Sequence, residues 1–390
     1  MASGAQTSPP DLLLTEGGPG DALMHRLHLL RPEDHTATLR TAAILAAITW
    51  LPLCVISIVQ GLAFGNQNIS FFHDIGVQAR FLIAVPILVL VEVPIGRRLR
   101  QVARHFLTAG LIREEDKSRY DEIALNAMRT RNSRTAELVL LALAYIATYQ
   151  VLEGINYAGD TWFRPGGSLS LVGYWYALVS LPIWQFLLLR WVYRMLLWSR
   201  LLWQVSRMDL VLTPAHPDGA GGLGFLGKAL IPFGGISFAI SASISGAAMS
   251  RILFGGARFQ DFQTMFIVVA IITVIIFAGP LLVFTPTLIM LRQEGLLRYG
   301  TMASRYTHLF DRRWIVEAEK TNEGILGTED IQSLSSLGDS YEMIRRMKII
   351  PMELSDFIAL ALPAVLPAFP LLLTVIPMSE ILKGMLRFVA

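Results

Sequence analysis

Seven apolar stretches, each enclosed between charged residues, dominate the pattern of this sequence. A helix needs roughly 20 mainly apolar residues to cross about 30 Å of hydrocarbon. The charged residues enclose the segments 40–74, 80–97, 137–153, 164–190, 228–251, 261–292 and 356–380. The pattern predicts an all-α integral membrane protein, a bundle of about seven transmembrane helices, here called spans one to seven. Spans two and three are the shortest and need flanking charged side chains that snorkel.

The composition excludes several other classes of protein. Hydrophobic residues make up 53% of the chain and charged residues 16%, whereas a soluble protein carries about 25% charged residues. The mean hydropathy is +0.51. Cys54 is the single cysteine, so neither an intrachain disulfide nor a cysteine-based metal site can form. These values exclude a secreted disulfide scaffold, a disordered chain and an ordinary cytosolic enzyme.

The distribution of basic residues predicts the orientation of the bundle. With the N-terminus in the cytoplasm, 27 of the 33 Lys and Arg residues fall on the cytoplasmic side. This asymmetry follows the positive-inside rule and predicts an N-in, C-out topology. Five tryptophans near the predicted span ends suit an aromatic belt at the membrane interface: Trp50, Trp162, Trp175, Trp198 and Trp203.

The chain divides into a short N-terminal region and a long membrane domain. Region 1–39 comprises a Ser-, Pro- and Gly-rich segment, 1–20, expected to be disordered, and an interfacial helix over 21–30. The membrane domain, 40–390, contains helical cytoplasmic extensions in the loops 97–136, 198–228 and 292–356.

Local signals predict helices within these loops. The first loop should contain two helices broken at Ala109 and Gly110, the second beginning near residue 114. In the last loop, Gly324 should end the extension of span six, a helix should begin near Thr328, and Pro351 should close it. Span four should continue past the membrane, with four basic residues snorkelling at the interface: Arg190, Arg194, Arg200 and Arg207.

A glycine-rich loop before span five offers a candidate binding site. Residues 222–227 satisfy GxGxxG, but no core strand, crossover helix or suitably spaced acid accompanies them, which excludes a dinucleotide site. Backbone N–H groups and a lysine could instead hold an anion or a lipid phosphate. The candidate residues for that role are His216, Asp218, Gly222, Gly224 and Lys228.

The same loop could instead have a purely structural role. The glycines would then form a tight turn that packs closely, with Asp218 capping it. His216 and Asp218 are too few ligands for a metal site, which usually takes three or four protein groups. His73 and Asp74 form a similar pair beyond the other end of the spans.

The segments "DLVLTPAHPDGAGGLGFLG" and "ILGTEDIQSLSSLGDSYEMIRRMKIIP" resemble stretches of an uncharacterised family of bacterial multi-pass membrane proteins. The resemblance extends over most of the chain beyond residue 40. It implies a bacterial inner (plasma) membrane setting and carries no activity, substrate or functional residue.

Spans five to seven carry the candidates for a membrane pathway. Ser237, Ser241 and Ser245 recur every four residues on one face of span five, which suits either helix packing or a hydrated path. Gly279 and Pro280 interrupt span six. Four prolines interrupt span seven: Pro363, Pro367, Pro370 and Pro377.

Glu92 is a further pathway candidate, because it is a carboxylate within span two. An intramembrane carboxylate is a functional hypothesis by default. The alternative is that Glu92 pairs with an arginine at the cytoplasmic rim.

The leading functional hypothesis is a channel or transporter for a small ion or solute. No GxSxG, HExxH or Walker A motif occurs, so an enzyme ranks lower, and no cofactor is expected. The alternatives are a membrane-embedded scaffold or signalling protein with a cytoplasmic partner, and a lipid-handling protein. Candidate partners are membrane lipids, a second copy of the chain and a cytoplasmic protein, but not nucleic acid.

Overall fold

The computed structural model describes residues 35–64, 69–154, 160–317 and 329–372. Within these residues the chain is helical, and its few β-bridges are isolated residue pairs. The predicted all-α class is confirmed for this part of the chain. Several predictions fall outside the described residues: the disordered segment 1–20, the interfacial helix 21–30, Gly324, Thr328 and Pro377.

Seven helices in the described ranges are long and apolar enough to cross a membrane. Helices suit this role because their backbone hydrogen bonds close within the segment and need no water. Their bounds are Thr36–Val59, Ile75–Thr108, Arg134–Glu153, Leu171–Val205, Phe225–Gly255, Gln260–Val316 and Leu354–Leu371. The predicted number of spans is confirmed by length and composition, and the orientation remains a prediction.

We label the longer helices in chain order. They are α1 (His35–Val59), α2 (Ile75–Thr108), α3 (Lys117–Arg131), α4 (Arg134–Gly154), α5 (Leu171–Val205), α6 (Gly234–Gly255), α7 (Gln260–Ala278), α8 (Thr285–Asp311), α9 (Glu329–Arg345) and α10 (Leu354–Val365).

The two ends of the bundle differ in the length of their connections. The long connections meet at one end, called the loop end below, where Val211 N donates to Leu111 O (2.8 Å). The short connections meet at the opposite end, where Trp162 N donates to Ile69 O (3.1 Å). The candidate glycine loop lies at the loop end.

Helix α1 contains a proline whose missing N–H is compensated by another span. Pro52 cannot donate to Ile48 O, and in lipid a freed carbonyl needs a partner. Trp175 Nε1 donates to Ile48 O (3.4 Å), and Ser180 Oγ donates to the adjacent carbonyl of Thr49 (2.7 Å). The proline therefore fixes how α1 and α5 pack together.

Helix α2 begins earlier than the charge pattern predicts. It starts at Ile75, because Asp74 caps the helix and its Oδ1 accepts from Val77 N (3.1 Å). Arg80 therefore lies one turn inside the helix, where its guanidinium bonds to other spans.

The loop-end helices follow the prediction with one correction. Helix α2 ends at Thr108, Gly110 takes a left-handed φ of 67°, and α3 follows, so the predicted break is confirmed. The predicted continuation of span four is also found, since α5 runs to Val205. The prediction that Pro351 closes the next helix is wrong: α9 already ends at Arg345.

Two of the tryptophans assigned to an aromatic belt are instead buried in the bundle. Trp162 is 0% exposed and Trp198 is 1% exposed, whereas Trp203 is 50% exposed. The belt assignment is wrong for Trp162 because its indole Nε1 donates to the buried carboxylate of Asp74 (3.1 Å). Proximity to a span end in sequence does not reveal which way a ring faces.

Helix α6 is the centre of the bundle. In an apolar 18-residue stretch of its span, 67% is buried, compared with 22% for the corresponding stretch of the span Arg134–Glu153. It packs between α2 on one side and α10 on the other, and it also contacts α7. The candidate serines therefore lie on the most enclosed helix among the described spans.

Candidate functional site

Ser237, Ser241 and Ser245 form a buried row along α6. Their exposures are 0%, 0% and 6%. None of the three Oγ atoms has a hydrogen-bond partner among the described residues. Leaving a buried hydroxyl unpaired costs about 1–3 kcal/mol. This unpaired serine row therefore departs from the rule that buried polar atoms are paired.

The face of α6 that packs against α2 is built differently. Ser243 Oγ accepts from Arg80 Nε (3.0 Å), and Ser250 Oγ accepts from Ile75 N (2.7 Å). A Cβ at Gly246 would lie only 2.7 Å from Ile75 O. On this face small residues permit close backbone approach, and the serines are paired.

On another side, α6 packs against the proline-broken span seven. Helix α10 contains Pro363, and a 3-10 turn, Leu366–Ala368, follows it. A Cβ at Gly234 would lie 2.9 Å from Pro363 Cγ, so the two helices touch closely. The predicted irregularity of span seven is confirmed for its described part, and it adjoins the helix that carries the unpaired serine row.

Span six is broken where Gly279 and Pro280 predict a break. The 3-10 turn Gly279–Phe284 separates α7 from α8, and it packs mainly against α5 rather than against α6. Just after the turn, the buried Thr285 Oγ1 has no hydrogen-bond partner among the described residues. The break in span six therefore packs against α5, whereas the serines lie on α6.

Glu92 pairs with two arginines from span four. Its Oε1 lies 2.8 Å from Arg194 Nη1 and 3.9 Å from Arg190 Nη1. The arginine side chains are 5% and 9% exposed. Arg190 and Arg194 occupy successive turns of α5, so both reach the same carboxylate.

This pairing corrects the prediction that Arg190 and Arg194 snorkel to the interface. Both are buried and reach inward, because the carboxylate offsets part of the cost of removing their charges from water. Arg200 and Arg207, which lie further along the chain, are exposed, and their position at the membrane interface stays a prediction. The arginines that pair with Glu92 come from another span, span four.

An indole closes the same cluster. Trp191 Nε1 donates to Leu88 O (3.0 Å), and the guanidinium of Arg194 lies 5.0 Å from the centre of the Trp191 ring. Such a cation–π contact contributes about 0.5–2 kcal/mol, more when it is desolvated. The cluster joins α2 to α5 within the protein interior.

Asp218 organises the glycine loop. Its carboxylate accepts from the backbone N–H groups of Ala220 (2.8 Å), Gly222 (3.1 Å) and Gly224 (2.7 Å). His216 Nδ1 lies 2.8 Å from Asp218 Oδ1. Partial burial acts to raise the pKa of Asp218, but these donors together hold it below its usual value. The amides proposed to hold an external anion therefore already bind an internal one.

The glycines of this loop allow tight packing. A Cβ at Gly227 would lie 2.6 Å from Asp356 Oδ2 and 2.8 Å from Pro351 O. Lys348 closes the other side, since its backbone N donates to Gly219 O (2.7 Å). The predicted turn capped by Asp218 is present, and it ties α6 to the segment before α10.

Lys228 lies apart from the other loop candidates. It is exposed and lines two adjoining cavities of about 250 and 310 Å³ at the loop end. Arg98 and Gln101 of α2 line both cavities with it. His216, Asp218, Gly222 and Gly224 are not among the lining residues. The structure thus separates the glycine turn from the two cavities lined by Arg98, Gln101 and Lys228, which are together called the basic groove below.

A polar cluster at the opposite end escaped the sequence-based prediction. Asp74 is 8% exposed and accepts from the indole of Trp162, while Arg80 Nη1 donates to Tyr176 Oη (2.8 Å). The rings of Trp162 and Tyr176 lie 5.1 Å apart. The only signal in the sequence was the isolated pair of His73 and Asp74, because the partners lie far along the chain.

In the described ranges, no group of three or more His, Cys, Asp and Glu side chains could hold a metal ion. Comparisons with protein-family models, with curated proteins and with solved structures find no match to this chain.

Proposed function

We propose that spans five to seven form a gated pathway for a small uncharged polar solute. The observation that carries the proposal is the unpaired serine row: three buried hydroxyls on the central helix that have no partner in the part of the chain that the structure describes. At 1.5 Å per residue the row extends for about 12 Å along α6. Water or a solute that enters in an open state would supply the missing hydrogen bonds.

The chemistry of the row favours an uncharged solute. A hydroxyl both donates and accepts, so it can exchange hydrogen bonds with water, alcohols or amides. The segment from Ser237 to Ser245 contains no charged residue, and three hydroxyls alone compensate poorly for removing an ion from water.

The break in the neighbouring span seven supplies the moving part of this mechanism. Helix α6 packs against α10 and the turn Leu366–Ala368, where prolines have removed backbone donors. A helix already interrupted there can bend with the loss of few hydrogen bonds. We propose that bending of span seven away from α6 exposes the serine row.

Flux into liposomes tests the proposal. Purified full-length protein is reconstituted, and entry of water, glycerol and urea is followed by light scattering alongside K⁺ and Cl⁻ fluxes. Wild type should conduct at least one neutral solute above empty liposomes. Replacing Ser237, Ser241 and Ser245 together by Ala should lower that flux about tenfold or more, at about 1 kcal/mol per lost hydrogen bond.

Ser57→Ala is the matched control. Its Oγ is also buried without a partner among the described residues, but it lies in α1. It should leave flux unchanged, while Ser241→Leu should block it by volume. Absence of neutral flux in wild type, or equal flux in the triple variant, would refute the pathway.

A lipid-handling role is the second candidate function. The observation in its favour is the basic groove lined by Lys228, which is independent of the unpaired serine row.

A further inference from the structure

The two cavities beside Lys228 form one continuous basic groove. They share Arg98, Gln101 and Lys228, and each adds a further basic side chain, His105 in one and Arg97 in the other. No carboxylate is among the residues that line either cavity. Several groups that can bind a phosphate oxygen therefore meet at one place between α2 and the segment that enters α6.

The groove also has apolar walls. Phe225 lines one cavity, and Ile231 and Pro232 line the other. The ring centre of Phe225 lies 4.4 Å from that of His105. Ile231 is 42% exposed, so an apolar surface lies directly beside the cationic one. This combination suits an amphipathic molecule better than a free inorganic ion.

The position of the groove along α2 matches the headgroup region of a bilayer. Arg98 lies about 35 Å along the helix from Ile75, at 1.5 Å per residue. The hydrocarbon layer is about 30 Å thick, and the headgroups extend it to about 40–45 Å. A span that starts at the opposite interface therefore brings Arg98 to the level of the phosphates at the loop end.

Neighbouring carboxylates are already engaged. Glu353 Oε1 lies 3.1 Å from Lys348 Nζ. That bond, and to a smaller degree the charge of Lys228, lower the pKa of Glu353. Glu92 pairs with Arg190 and Arg194 on α5.

We propose that this groove binds the headgroup phosphate of an anionic phospholipid. Arg98 and Lys228 contact the phosphate oxygens, Gln101 donates from its amide, and the apolar wall at Ile231 receives the first part of an acyl chain. The inference does not depend on the proposed pathway.

A binding titration tests this site. Delipidated full-length protein in neutral detergent is titrated with short-chain phosphatidylglycerol, with phosphatidylcholine of the same chain length, and with inorganic phosphate. Binding is followed by native mass spectrometry and by the midpoint of thermal unfolding. Phosphatidylglycerol should bind more tightly than either of the other two probes.

Substitutions assign the binding to the groove. A basic residue near an anionic surface contributes about 1 kcal/mol, so Lys228→Gln should weaken binding about fivefold and Arg98→Gln with Lys228→Gln about 30-fold. Arg200→Gln with Arg207→Gln is the matched control, because it removes two exposed charges from the adjacent region of the chain. The control should change the affinity less than twofold.

Three results would overturn the inference. They are equal affinity for phosphatidylglycerol and phosphatidylcholine, an unchanged affinity in the groove variants, and inorganic phosphate binding as tightly with the same dependence on Arg98 and Lys228. The last result would assign the groove to free phosphate. If the double variant fails to fold, Lys228→Gln alone decides, because that side chain is exposed.

Discussion

Asp218 and the unpaired serine row lie on consecutive segments of the chain and are built on opposite principles. The Asp218 carboxylate accepts hydrogen bonds from three backbone N–H groups of its own loop. The hydroxyls of Ser237, Ser241 and Ser245 have no partners among the described residues, although they are more deeply buried. The comparison teaches that polarity at a candidate site is ambiguous until the partners are known. The satisfied group is a structural element, and the unsatisfied row is where a ligand can gain hydrogen bonds.

Glu92 extends the comparison to a paired polar group within a span. Among the substitutions considered, its replacement should lower the free energy of unfolding the most. Glu92→Gln removes the carboxylate charge that pairs with the buried Arg190 and Arg194. Breaking a buried ion pair costs about 3–5 kcal/mol. The free energy of unfolding, measured by titrating dodecyl sulfate into neutral detergent micelles, should fall by that amount.

The control for Glu92 is Glu294→Gln. Glu294 pairs with Arg298 one turn away on an exposed face of α8, with side chains 57% and 76% exposed. Exposed pairs contribute about 0–1 kcal/mol, so this variant should be nearly neutral. Equal effects of the two substitutions would contradict the role given to the buried cluster.

Asp218→Ala should have the next largest effect. It leaves the N–H groups of Ala220, Gly222 and Gly224 without their acceptor. Each lost hydrogen bond costs about 1 kcal/mol or more. The same titration should show a loss of about 3 kcal/mol. Asp209→Ala removes an exposed partner of Arg113 instead and should cost less than about 1 kcal/mol. A loss no larger than that of the control would mean that water replaces the carboxylate.

The stability of the protein should also depend on pH through the Asp218 carboxylate, with a smaller effect than that of Asp218→Ala. Because folding lowers the pKa of Asp218, its contribution is fully present above the unfolded value of about 3.9. It is lost as the pH falls through the lower folded value. Wild type and Asp218→Asn should therefore differ in thermal midpoint at pH 6, and the difference should shrink as the pH falls below the unfolded value. A constant difference down to the lowest pH would contradict this assignment.

Replacing the three serines of α6 by Ala should have the smallest effect on stability. No protein hydrogen bond among the described residues is lost from the side chains, so the free energy of unfolding should stay within about 1 kcal/mol of wild type or rise. A loss of about 3 kcal/mol would show that the hydroxyls bond within the closed bundle. That result would remove the observation on which the pathway depends.

Much of the fold could be predicted from local pattern. The seven spans, the break near Gly110 and the breaks at Pro280 and Pro367 depend on residues close together in sequence. The capping role of Asp218 was also predictable, because its donors lie two to six residues away. The burial of Arg190 and Trp162 was not, because a span end in sequence does not reveal the neighbour that a side chain meets.

The sequence by itself determined that the described part of the chain forms seven helices long and apolar enough to cross a membrane, because local apolar pattern sets both properties. Only the tertiary structure decided which polar side chains are satisfied. Arg80 and Ser243 are separated by 163 residues, and Trp162 and Asp74 by 88. Such pairs form only when the spans pack together. The same packing leaves the hydroxyls of Ser237, Ser241 and Ser245 without partners within the described ranges. The partners of Arg80 and Trp162 are therefore set by neighbouring elements of the fold rather than by the local sequence.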